Sequence, residues 1–99
     1  MTQRAKHPYP EIYCDFNARM TDLGYSLERQ GSVAALRKLG LTLEQSVGKR
    51  FTFVMDDANE KGEPDDIMIN GVVAKDPDWG YLAVADNDDF YWRSELGDA

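Results

Sequence analysis

From Lys49 to Arg93 the chain keeps the two-residue period of β-strands, in apolar runs separated by segments crowded with aspartate. Phe51, Phe53 and Met55 share one face of the first run, with Thr52 and Val54 on the other. Ile67 to Lys75, Tyr81 to Ala85 and Phe90 to Arg93 supply three more strands. The segments between them are turn chemistry. Residues 57–66 form a long polar loop, Asp76-Pro77-Asp78-Trp79-Gly80 has a proline pre-set for its corner, and Asp86-Asn87-Asp88-Asp89 reverses the chain again. Asn70-Gly71 is a tight-hairpin signal in isolation. Here it would leave strands of only three or four residues, so Gly71 is read as a bulge or bend where the sheet coils.

The first half covers and completes this sheet. Residues 12–20 alternate, with Ile12, Cys14, Phe16, Ala18 and Met20 set against Tyr13, Asp15, Asn17 and Arg19. Ile12, Phe16, Met20, Leu23 and Leu27 also fall at helical spacing. Propensity decides for a strand, because Ile, Tyr, Cys, Phe, Asp and Asn are mediocre or poor helix formers. Thr21 to Gly24 then reads as a turn, and Tyr25 to Arg29 as the returning strand of a hairpin. Ser32 to Leu39 is the expected helix, capped by Ser32, stopped by Gly40, with Val33, Leu36 and Leu39 as its inward stripe. Thr42-Leu43-Glu44-Gln45 has the spacing of a capping box and predicts one further helical turn. A helix of eight residues is not stable alone in water, so its apolar stripe must rest on the sheet.

The expected order is β-β-α-β-β-β-β: an α+β domain, mainly β, built as a small twisted antiparallel sheet or a partly open barrel with one short helix. In topology the second half resembles the SH3-like small barrels. That likeness covers roughly half the chain and carries no function with it. Residues 1–10 read as a flexible tail, 11–96 as a single small domain, and 97–99 as a frayed end of an acidic terminus.

At 99 residues the chain suits one domain with a modest core, and 42% apolar against 29% charged residues argues against disorder. The net charge of −7 is unevenly spread. Residues 1–50 carry 8 Lys/Arg and 5 Asp/Glu, hence +3, whereas residues 51–99 carry 3 and 13, hence −10. Nucleic-acid phosphates would be repelled by that second half, and a basic protein surface or cationic group is its electrostatic match. The plainer reading is that acidic loops keep the domain soluble. No apolar run is long enough for a membrane span and no apolar segment follows the basic N-terminus, so a soluble cytoplasmic protein is expected, as a monomer or weak homodimer.

Catalytic and cofactor motifs begin and then fail. Gly48-Lys49 approaches a phosphate-binding loop, but Leu43 stands where the first glycine belongs and Arg50 replaces the metal-binding hydroxyl. Asp57, Asn59 and Gly62 start a calcium loop, but Lys61 takes its fifth position and Met68 its twelfth. One cysteine and one histidine cannot build a zinc site. Cys14 reads as a small buried hydrophobe, and His7 lies in the tail without an acidic neighbour. No catalytic residue, metal or cofactor is expected, and an enzyme using loop carboxylates is the minority reading.

One constellation is left. Trp79, Tyr81, Phe90, Tyr91 and Trp92 fall close together, interleaved with Asp76, Asp78, Asp86 and Asp88. With Leu82, Val84, Phe90 and Trp92 inward, alternation turns Tyr81 and Tyr91 outward. Exposed rings rimmed by carboxylates attract cations and anchor protein partners. Trp79, Tyr81, Tyr91, Asp76, Asp78, Asp86 and Asp88 are therefore the candidate binding residues, set against the ordinary use of such rings as core. The leading expectation is a non-enzymatic module that binds a basic partner. The alternative is an inhibitor that mimics nucleic-acid charge.

Overall fold

The computed structural model describes residues 9–58 and 60–96. Its sheet grows from one long hairpin. Strand β3 (Arg50–Ala58) pairs antiparallel with β4 (Pro64–Asp76), from Arg50 opposite Val72 to Ala58 opposite Pro64. The register is unbroken, so Asn70-Gly71 lies inside a strand of 13 residues and makes no bulge. A Cβ on Gly71 would stand 2.2 Å from the Val84 carbonyl oxygen. Glycine is required there by the close approach of the neighbouring backbone, not by a turn.

Strand β5 (Gly80–Ala85) pairs with the other edge of β4 after the expected turn. Asp76 Oδ1 accepts the amides of Asp78 at 2.8 Å and Trp79 at 3.0 Å, and Gly80 takes a φ of 78°. Strand β6 (Tyr91–Trp92) continues the same edge in the same direction as β5. The Asp86 amide still donates to the Asn70 carbonyl at 3.0 Å, and Tyr91 then lies opposite Met68. Between those points β4 moves two residues and the chain five, so three extra residues loop out. Asp86 to Asp89 is thus a protrusion in one interrupted strand, not the chain reversal the sequence predicts. A 3₁₀ turn over Arg93–Leu96 ends the described chain.

The expected N-terminal hairpin is largely replaced. Strand β1 (Glu11–Tyr13) pairs parallel with β3, and β2 (Gly24–Ser26) pairs antiparallel with β5, so the order across the sheet is β1-β3-β4-β5-β2. The two strands sit at opposite edges. The cause is local: Asp15 Oδ1 accepts the Asn17 amide at 2.9 Å, a side-chain turn that breaks the strand despite its alternating pattern. The predicted turn at residues 21–24 does form, with the Met20 amide on the Gly24 carbonyl at 2.8 Å and an Arg19–Tyr25 bridge. Pro10 is not part of a loose tail, since its carbonyl accepts the Thr52 amide at 2.9 Å. Residues 1–8 and 97–99, assigned above to the tail and the frayed end, lie outside the described residues.

Helix α1 (Gln30–Lys38) starts earlier than predicted, from Arg29, with no side-chain cap. Ser32 is inside it, fully buried, and its hydroxyl donates to the Tyr13 carbonyl at 2.7 Å. The hydroxyl therefore ties the helix to β1 instead of capping it. Leu36 is buried, but Leu39 is 44% exposed and leaves the predicted stripe. The turn α2 (Leu43–Ser46) carries the full capping box between Thr42 and Gln45. The main core gathers Ile12, Leu27, Leu36, Phe51, Phe53 and Ile69. A smaller cluster of Val54, Met68 and Tyr91 lies on the opposite face of the sheet. The architecture is a mainly β, open sheet with one principal helix.

Candidate functional site

The seven residues proposed from sequence do not meet. β5 has six residues and spans roughly 20 Å, with Asp76, Asp78 and Trp79 at one end and Asp86 and Asp88 at the other. Trp79 is 51% exposed at the tip of its turn, as expected. Tyr81 is half-buried against the main core, with the Lys75 ammonium 5.3 Å from its ring centroid. Both faces of β5 are covered: Ala83 and Ala85 belong to the main core with Tyr81, while Leu82, expected inward, is also buried. Tyr91 is buried, at 6% exposure, and its hydroxyl donates to Asn70 Oδ1 at 2.8 Å. Phe90 precedes the short strand and packs edge-on against Phe16. The strand phase slips because three residues loop out before β6. Asp76 is occupied by its own turn and Asp86 by Arg50.

The carboxylates that the fold does concentrate are elsewhere. Beyond the ends of β1 and β6, strands β3 and β4 continue as a two-stranded ribbon. Its register sets Asp56 opposite Asp66 and Asp57 opposite Asp65. Like charges directly across a strand pair repel and destabilise it. Two such rungs in succession are left over from folding. Asp56, Asp57, Asp65 and Asp66 line a concavity of about 320 Å³ with Pro64 and Arg93.

One side of that ribbon is neutralised from the C-terminal turn. Arg93 donates to both oxygens of Glu11 at 2.6 and 3.0 Å and to Asp66 at 2.7 Å. These bonds strap β1 to β4 across the face that carries Tyr91, and they raise the Arg93 pKa. Ser94 Oγ donates to Asp65 at 2.6 Å. Asp57 accepts only the adjacent Ala58 amide at 2.8 Å, and Asp56 has no ion pair or side-chain hydrogen bond among the described residues. Tyr13 lies nearby at the β1 edge, 37% exposed. Its pKa is raised by desolvation first and then by Asp15 and Asp56. An exposed ring beside carboxylates, the arrangement sought at residues 79–92, is therefore found at Tyr13, Asp15 and Asp56. Two Asp-Asp doublets placed symmetrically about a polar loop were the available signal.

Cys14 is fully buried, and desolvation, aided by Asp15, pushes its thiol up to about 12. Such a thiol stays protonated and poorly nucleophilic. Among the described residues no group of three or more His, Cys, Asp or Glu is arranged to hold a metal, and no helix is long and apolar enough to cross a membrane. Comparison with protein-family models, with curated proteins and with solved structures gives no match.

Proposed function

We propose that this protein is a small non-enzymatic binding module whose acidic ribbon docks a basic protein surface or a cationic group. The observation that carries the reading is the pair of Asp-Asp rungs, Asp56 with Asp66 and Asp57 with Asp65. A partner that brings cations relieves repulsion already present in the free ribbon, so the charge arrangement that folding disfavours is the one that binding uses. Tyr13 adds a ring face beside it. The ribbon replaces Trp79, Asp76 and Asp78 as the main contact, and the exposed Trp79 turn is a secondary anchor at most. As part of the same reading, the sheet is a partly open, SH3-like barrel. The Arg19–Tyr25 bridge supports this by carrying the chain from the β1 edge toward β2. A soluble cytoplasmic setting belongs to the proposal as well, resting on the charged surface and the free thiol.

The test uses a labelled octalysine peptide and two charge-matched double variants. Asp56→Asn with Asp57→Asn is expected to weaken binding several-fold more than Asp76→Asn with Asp78→Asn, although each removes two charges. Equal losses in the two variants mean that only the general field of an acidic protein is at work, and sink the ribbon as a site.

A further inference from the structure

The described residues include five arginines. Arg19 pairs with Asp22, Arg50 with Asp86, and Arg93 with Glu11 and Asp66. Arg29 and Arg37 have no ion pair or side-chain hydrogen bond among the described residues, in a chain with 18 acidic side chains. Both line one groove of about 620 Å³ along α1, together with Val33, Ala34 and Leu43. A further concavity of about 300 Å³ adjoins it, sharing Val33, Arg37 and Leu43 and reaching Leu41. Glu28 also borders the groove, but its Oε2 accepts the Tyr81 amide at 3.0 Å. The groove thus combines an apolar floor with two unpaired guanidiniums on an otherwise acidic molecule.

The spacing of those residues specifies an occupant. Arg29, the N-cap residue of α1, and Val33 and Arg37 within it recur every four positions and line the same groove, turned by about 80° around the helix from first to last. Eight residues at ~1.5 Å each place the two arginine positions about 12 Å apart. An extended peptide advances ~3.3 Å per residue and returns to the same face at every second side chain. Acidic residues four positions apart, about 13 Å, therefore meet the two arginines, and the residue midway between them meets Val33. We propose that the α1–α2 groove binds an extended acidic segment of a partner protein with the pattern acidic-x-apolar-x-acidic. Arg29 and Arg37 hold the two carboxylates in forked hydrogen bonds, and Val33, Ala34 and Leu43 receive the central side chain. This surface is opposite in sign to the ribbon and does not depend on the ribbon's role.

The probe is a fluorescein-labelled peptide with a Glu-Thr-Leu-Thr-Glu core between Gly-Ser flanks, titrated against the full chain by anisotropy. Saturable binding is expected, weakened about three- to tenfold by Arg29→Ala or by Arg37→Ala and further by both. Replacing both glutamates of the probe by glutamine is expected to act like the double variant. Both arginines are exposed, so the variants retain the wild-type circular dichroism and melting temperature. Absence of binding, equal binding of the glutamine probe, or unchanged affinity in the double variant overturns the proposal. Sedimentation that reveals self-association abolished by Arg29→Ala with Arg37→Ala overturns it too, because a second copy then fills the groove.

Discussion

Gly71 and Cys14 illustrate how single positions are fixed by their surroundings. A methyl group on Gly71 would press on the Val84 carbonyl at 2.2 Å, and that backbone cannot yield without disturbing the β4–β5 ladder. Gly71→Ala is expected to destabilise the fold by about 1–3 kcal/mol. Chemical denaturation reads this as a lower midpoint with an unchanged slope. Cys14 makes a prediction in pH. Its folded pKa of about 12 stands above the ordinary thiol value of 9.0. The unfolded chain therefore loses its proton first as pH rises, and stability falls between pH 9 and 12 while it is fully present below 9. Wild type should lose stability relative to Cys14→Ala across that window, by up to about 1.4 kcal/mol per pH unit. Parallel curves for the two proteins would show that the thiol is not held protonated. The burial of Cys14 was legible from alternation, whereas the glycine's role was not, because dipeptide chemistry does not reveal which strand will lie alongside.

At the scale of elements, the hairpin ribbon separates folding from function. Asp57→Lys places opposite charges at the rung with Asp65, and is expected to raise stability by about 0.2–1 kcal/mol in thermal melts. The same change should weaken octalysine binding. Stability and binding moving in opposite directions is the signature of charge retained for a partner; a destabilised variant would remove the claim that the rungs repel. The strands β3, β4 and β5 were readable from their period and the capping box at Thr42 from its spacing, but Asp57, Asp65 and Asp66, read as loop, extend β3 and β4, and the last strand shrinks to Tyr91–Trp92. β1 and β2 were misplaced for a physical reason. Alternation says that a segment can be a strand but not whom it pairs with, and the Asp15–Asn17 turn ends the strand within the pattern. Likewise, the outward phase expected for Tyr91 assumed a continuous strand, and the loop at Asp86 to Asp89 resets that phase. The ribbon was missed because its significance lies in register, which only the folded hairpin supplies.

At the scale of the whole molecule two electrostatic effects oppose each other. A net charge of −7 on a body of 41 × 24 × 22 Å produces self-repulsion, which salt screens over a Debye length of about 10 Å at 0.1 M. Salt also weakens the exposed pairs that Arg93 makes with Glu11 and Asp66 and that Arg50 makes with Asp86. Half-exposed pairs of this kind contribute roughly 0–1 kcal/mol each. The acidic rungs, by contrast, are concentrated on one ribbon and add to a field that every other carboxylate shares. Repulsion should therefore dominate, and the melting temperature is expected to rise as sodium chloride increases from low millimolar to about 0.1 M, where the Debye length has fallen to about 10 Å. Asp56→Lys with Asp57→Lys should flatten that rise, because it removes the densest part of the field. A melting temperature that falls with salt would mean that the Arg93 strap, not repulsion, governs the balance. The same screening acts on association: encounter of a basic partner with the ribbon should slow as salt increases, with dissociation changing far less. Stopped-flow mixing at several ionic strengths resolves the two rates, and a salt effect confined to dissociation would place the contact in a desolvated pocket instead of on the open ribbon.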